Sequence, residues 1–133
     1  MKPIHLALAL TLAAPGVAPA QEIDPGTELF AYYCAYCHGD DAKGEGILSP
    51  FLTIPVPDLT GLSARNGGTF PMLRVVHLLN GTWKDKLHGG PMPDFGPLFD
   101  EETQGYGDKA LSVLDRNGRI LTLALYLEGL QAD

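Results

Sequence analysis

Several chemistries drop out because of what this 133-residue chain lacks. It holds only two cysteines, Cys34 and Cys37, so a four-ligand zinc site has no second Cys pair to draw on. No strand–helix–strand pattern surrounds that pair, which removes the setting of a thioredoxin-like redox disulfide. Basic residues are scarce: nine Lys and Arg stand against sixteen Asp and Glu. A nucleic-acid partner is not expected from that balance, because binding a polyanion takes a basic face. After the N-terminus no apolar run approaches the roughly 20 residues that span a bilayer. Strand signals are weak throughout, which leaves an all-α chain.

The first twenty residues read as a secretory signal. Lys2 supplies the positive start, residues 6–12 are almost continuously apolar, and Ala18-Pro19-Ala20 before Gln21 forms an A-x-A cleavage site. The apolar run is too short to span a bilayer; an uncleaved anchor is the competing reading. Cleavage leaves residues 21–133 as one domain, short enough that its core gains from a staple. Removing Lys2 leaves eight Lys and Arg against sixteen Asp and Glu, a net charge near −8. Such a surface suits a partner with a basic docking surface and salt-sensitive association, or else it only keeps the chain soluble.

Both cysteines fall in one run, Cys34-Ala35-Tyr36-Cys37-His38, the C-x-x-C-H attachment signature of a c-type haem. Positions three and four apart share one face of a helical turn. Cys34 and Cys37 can then meet one edge of a flat macrocycle as thioethers, with the His38 imidazole turned to the iron. A plain short-loop disulfide is the remaining competitor. With haem held here, the difficult chemistry belongs to the cofactor, and the protein binds and tunes it.

A second axial ligand has four candidates downstream: Met72, His77, His88 and Met92. Met72 sits on an apolar helical stripe and reads as core filler, and His77 lies just past that stripe and reads as structural. Met92 stands between Pro91 and Pro93 in a glycine-rich segment, stiff at the Met and permissive around it. That placement selects Met92 as the iron ligand opposite His38, with bis-His ligation through His88 as the alternative. His/Met ligation raises the reduction potential relative to bis-His. An iron closed on both faces moves electrons but binds no substrate, so a carrier is expected rather than an enzyme.

The helices are read from caps and stripes. Asp24-Pro25 starts the first, whose stripe of Leu29, Phe30, Tyr33, Cys34 and Cys37 carries it into the haem motif. The Pro-broken stretch 47–57 reads as irregular chain. Asp58 caps a short helix through Leu59 and Leu62 that ends at Asn66-Gly67-Gly68. A third helix starts near 69–71 and stops at Asn80-Gly81, with Met72, Val75, Val76 and Leu79 inward. Residues 83–97 read as irregular and 100–108 as an acidic surface loop. A turn or two over 110–114 precedes a last helix capped by Asn117, with Ile120, Leu123, Ala124, Leu127 and Leu130 inward.

Read together, the chain resembles the class I cytochromes c over nearly all of residues 21–133. Gly26-x-x-Leu29-Phe30 ahead of Cys34–His38-Gly39 looks like that family's first helix and haem site. Leu125-Tyr126-Leu127 looks like its last helix, and Gly90-Pro91-Met92-Pro93 like its distal Met loop. The resemblance implies three to five helices around one covalent haem c. It implies crossed terminal helices, with Gly26 and Phe30 against Tyr126. Pro57-Asp58-Leu59 resembles the family's Pro-x-Leu segment, where the Pro carbonyl accepts the Nδ1–H of the proximal His; here that is Pro57, with Pro55 as rival. Attachment outside the bacterial cytoplasm follows, hence a periplasmic location. Trp83, Arg65 and Arg74 are candidate donors to the haem propionates, or else a packed Trp and two surface Args.

The expected function is periplasmic electron transfer to and from redox partner proteins. The alternatives are a haem-bearing subunit of a larger oxidoreductase complex and a gas-binding haem protein.

Overall fold

The computed structural model describes residues 24–82 and 92–132. The signal segment, Trp83 and His88 lie outside the described residues. The all-α expectation holds: no strand occurs among the described residues. Their helices are α1 (Pro25–Tyr33), α2 (Ala35–His38), α3 (Leu62–Arg65), α4 (Met72–Leu79), α5 (Phe95–Glu102) and α6 (Lys109–Gly129). Two of these, α2 and α3, are single turns of four residues.

Asp24 starts α1 as expected, its carboxylate accepting from the N–H groups of Gly26 and Thr27 at 3.1 and 3.2 Å. The helix does not run unbroken into the haem motif. Cys34, at φ −118° and ψ −37°, closes α1 and opens α2, and its carbonyl accepts from the N–H groups of both Cys37 and His38. The stretch 47–57 is irregular apart from a 3-10 turn at Ser49–Phe51. Asp58 caps a turn instead of a helix, binding the N–H and hydroxyl of Thr60, and α3 begins only at Leu62. The expectation for α4 holds at both ends, with Val75 and Leu79 buried.

Two expectations are overturned. The acidic stretch after residue 100 is not simply a loop, and the irregular segment ends before residue 95: α5 covers Phe95–Glu102. Pro97 stands in its first turn, where a missing N–H costs nothing, and Phe95 and Phe99 four apart make its buried face. The last helix does not begin at Asn117. It runs as one 21-residue element from Lys109, with the Asp108 carboxylate accepting from the Ala110 N–H at 2.8 Å. Gly118 lies inside it, at the roughly 1 kcal/mol that glycine costs in a helix interior.

The core lies where α6 meets α1, α4 and α5. Phe30, Phe95, Phe99, Ile120, Leu123, Ala124 and Leu127 are all at most 5 % exposed. Where α1 crosses α6, the Phe30 and Tyr126 rings sit 5.3 Å apart, and a Cβ on Gly26 would lie 2.7 Å from Tyr126 Cβ. The expected glycine–aromatic crossing of the terminal helices is therefore present. Polar bonds close the outside of this corner. The Tyr33 hydroxyl and the Arg119 guanidinium both donate to Glu102 at 2.7 Å, tying α1 and α6 to the end of α5. At the other end of α6, the Gln131 side chain binds Leu59 O and the Ser63 N–H.

Candidate functional site

The site is built on the turn from Cys34 to His38. Its last three carbonyls point into the following loop, and each finds a donor there. Tyr36 O accepts from Leu48 N–H at 2.8 Å, Cys37 O from Gly46 N–H at 3.1 Å, and His38 O from Gly44 N–H at 2.7 Å. This close approach leaves no room for a side chain at residue 46. A Cβ there would fall 2.4–2.6 Å from backbone atoms of Tyr36, Cys37 and Ala35.

Above this turn opens an apolar cavity of about 320 Å³, within the range of small-molecule and cofactor sites. Cys34, His38, Pro57 and Met92 all line it, although they come from three separate parts of the chain. Leu59, Leu62, Leu78, Leu79 and Leu127 supply much of the apolar wall. Arg65, Asn66 and Arg74 bring the polar groups to its edge, and Arg65 also donates to the Asp58 carbonyl.

His38 is 8 % exposed. Its Nδ1 lies 3.3 Å from the Pro57 carbonyl oxygen, placed to donate to it. That bond fixes the ring and the tautomer in which Nε2 carries the lone pair. Pro55 is exposed and does not line the cavity. Met92 is half-buried on the cavity wall. Met72 packs against the core and is not among the lining residues. His77 is exposed at the end of α4, its Nδ1 2.9 Å from the Thr82 hydroxyl.

Both cysteines are free of disulfides. Burial, with Cys37 beside it, pushes the Cys34 thiol up to about 12, which disfavours its thiolate at neutral pH. No group of three or more His, Cys, Asp or Glu side chains suited to a metal ion occurs among the described residues. One buried imidazole, two free cysteines a helical turn apart and an apolar cavity with a thioether on its wall form a donor set that fits a covalent haem. The wall leucines escaped notice as site residues because their sequence signal is the same apolar periodicity that marks the core. In the sequence Leu62 and Leu127 belong to helical stripes and Leu59 to the Pro57-Asp58-Leu59 segment, and nothing local marks which of them face a cofactor.

A family model described as "Cytochrome C oxidase, cbb3-type, subunit III" matches residues 21–105. No curated protein and no solved structure matches the chain.

Proposed function

Because the chain belongs to the family of cytochrome c oxidase cbb3-type subunit III, and so is a c-type cytochrome working by haem-based electron transfer with redox partners, we propose that it is a periplasmic electron carrier with His38 and Met92 as axial ligands of one haem c. His38 and Met92 would hold a haem between them, and the group would supply one-electron transfer there. Cys34 and Cys37 hold the macrocycle by thioethers, and Pro57 orients the His38 ring through its carbonyl. Arg65, Arg74 and Asn66 meet the propionates at the polar edge, while the leucine wall keeps water from the iron. The observation that carries this reading is the one cavity lined by Cys34, His38, Pro57 and Met92. Export rests on the signal-like residues 1–20 and on the place where c-type haem is attached.

The Met92→Ala variant tests the ligation. It is expected to keep the covalent haem spectrum, lose the far-red sulfur-to-iron band of the ferric protein and lower the potential. An unchanged ferric spectrum would sink Met92 as ligand and return His88 to consideration. Fractionating the host cells tests the location: recovery of the chain with residues 1–20 still attached in the cytoplasm counts against it.

A second reading, a haem-bearing subunit of a larger oxidoreductase, is favoured by one specific feature. Leu111, Leu114, Leu121 and Leu125 are each about half exposed or more. Their spacing of three, seven and four puts them on one stripe of α6, opposite Ile120, Leu123 and Leu127. An apolar face of this size on an acidic chain suits assembly. Co-purification with larger chains in a fixed ratio supports this reading, and a monomer in gentle detergent-free extracts opposes it.

A further inference from the structure

The second notable surface lies on the outside of the haem turn. Of the two cysteines, Cys34 is buried against the cavity and Cys37 is the more open, so the Cys37 side of the turn is the one nearer solvent. The loop that caps this turn carries apolar side chains outward. Ile47 is 72 % exposed and Phe51 80 %, beside Leu48 and Tyr36, which are also exposed. Tyr36 and Ile47 line a shallow concavity together with Ala31, Ala35, Asp40 and Glu45. Residues 39–54 hold three carboxylates, Asp40, Asp41 and Glu45, against one cation, Lys43.

We propose that this patch is where the redox partner docks, and that the partner presents an apolar centre ringed by basic residues. The proposal rests on the carrier reading above and names the surface it uses. An apolar centre within a charged rim is the anatomy of a protein–protein contact. The rim's sign selects the occupant. A second copy of this chain would bring carboxylates against carboxylates, and an anionic lipid surface would be repelled in the same way. A basic rim gains encounter rate from the attraction and loses it with salt. The route inward is short. Tyr36 and Cys37 are adjacent in sequence, and the loop from Gly46 to Leu48 is hydrogen-bonded to both of their carbonyls.

Stopped-flow oxidation of the reduced holoprotein tests this with two oxidants, a lysine-rich class I cytochrome c of higher potential and a small cationic cobalt(III) complex. Ile47→Ser with Phe51→Ser is expected to slow the reaction with the protein oxidant about fivefold or more. The small complex needs no docking surface, so its rate should hold within about twofold. Neutralising the rim (Asp40→Asn, Asp41→Asn, Glu45→Gln) should slow the protein oxidant about tenfold at low ionic strength and flatten its salt dependence. Unchanged rates with the protein oxidant in both patch variants, at an intact haem spectrum, would overturn the docking surface and leave the carrier reading standing. So would a dimer of the parent protein, or binding to phospholipid vesicles, that the Ile47/Phe51 variant abolishes. Absence of covalent haem bands in the parent sinks the carrier reading itself, and the docking surface with it.

Discussion

At the residue scale, Gly46 is a position near the haem turn that tolerates no side chain. Three backbone atoms of the turn stand within 2.6 Å of where its Cβ would be, and backbone held by its own hydrogen bonds cannot step aside. Gly46→Ala should therefore cost about 2 kcal/mol or more in urea unfolding. It should also lower haem incorporation, because the loop that caps Tyr36, Cys37 and His38 no longer closes. A variant as stable as the parent would show that the loop relaxes. Tyr33 yields a prediction in pH. Burial first, then the hydrogen bond to Glu102, pushes its phenol up to about 12 from an ordinary value near 10. A folded value above the unfolded one means the unfolded chain releases this proton first. The contribution is thus whole below about pH 10 and is lost between about pH 10 and 12. The stability difference between parent and Tyr33→Phe, measured across pH 9 to 12, should shrink toward the alkaline end; a flat difference would refute the shift.

At the element scale, α6 organises the molecule. It is about 31 Å long at 1.5 Å per residue and packs against α1, α4 and α5. Gly118 is the weak point in its middle. It is helical, and a Cβ there would meet nothing within 4 Å. Gly118→Ala should raise stability by about 0.5–1 kcal/mol, read as a higher urea midpoint at unchanged slope. A loss instead would mean that the helix needs the glycine's freedom. Arg119 works between elements. Its guanidinium donates to Glu102 at 2.7 Å, lies 2.7 Å from Asp115 Oδ2 and stands 5.2 Å over the Phe99 ring. These ion pairs are a quarter to a third exposed, so screening keeps their net contribution small. Their use is to register the end of α5 against α6.

The element scale also shows why two boundaries were illegible. Pro97 reads as a breaker in any local window, yet it stands in the first turn of α5, where proline is tolerated. Asn117-Gly118 reads as a stop and start. The packing of Ile120, Leu123 and Leu127 together with the Asp108 cap carries the helix through it. At Gly118 burial of an apolar face outweighs a propensity cost of about a kilocalorie; at Pro97 the first-turn position leaves little cost to outweigh. The starts of α1 and α4 and the end of α4 were legible because each depends on neighbouring residues alone: Asp24 before Pro25, and Asn80-Gly81 after Leu79.

At the scale of the whole molecule, charge sets behaviour with partners. Residues 21–133 carry a net charge near −8. Their electron exchange with a basic protein should therefore slow steadily as ionic strength rises past about 0.1 M, where the Debye length is about 10 Å. Stopped-flow rates from 10 to 500 mM salt check this, and a rate that stays flat or climbs with salt would refute it. The two apolar surfaces lie on different elements, the loop patch by Cys37 and the leucine stripe of α6. One molecule therefore has room both to pass electrons and to sit in an assembly.

The amino-acid order by itself determined what is local or covalent. The spacing Cys34-x-x-Cys37-His38 names the cofactor because one helical turn is enough to express it. Composition set the helical class and the acid balance. Tertiary structure alone decided which distant groups share one cavity. Met92 and Pro57 stand far from His38 in sequence, and Leu59 and Leu127 are farther apart still, yet all five line the same wall. Facing a common cavity is a property of how α6, α4 and the loops pack, and no window of sequence contains it. The same packing chose Pro57 over Pro55 as the neighbour of His38 and turned Phe51 and Ile47 outward, where apolar side chains were free to become a surface.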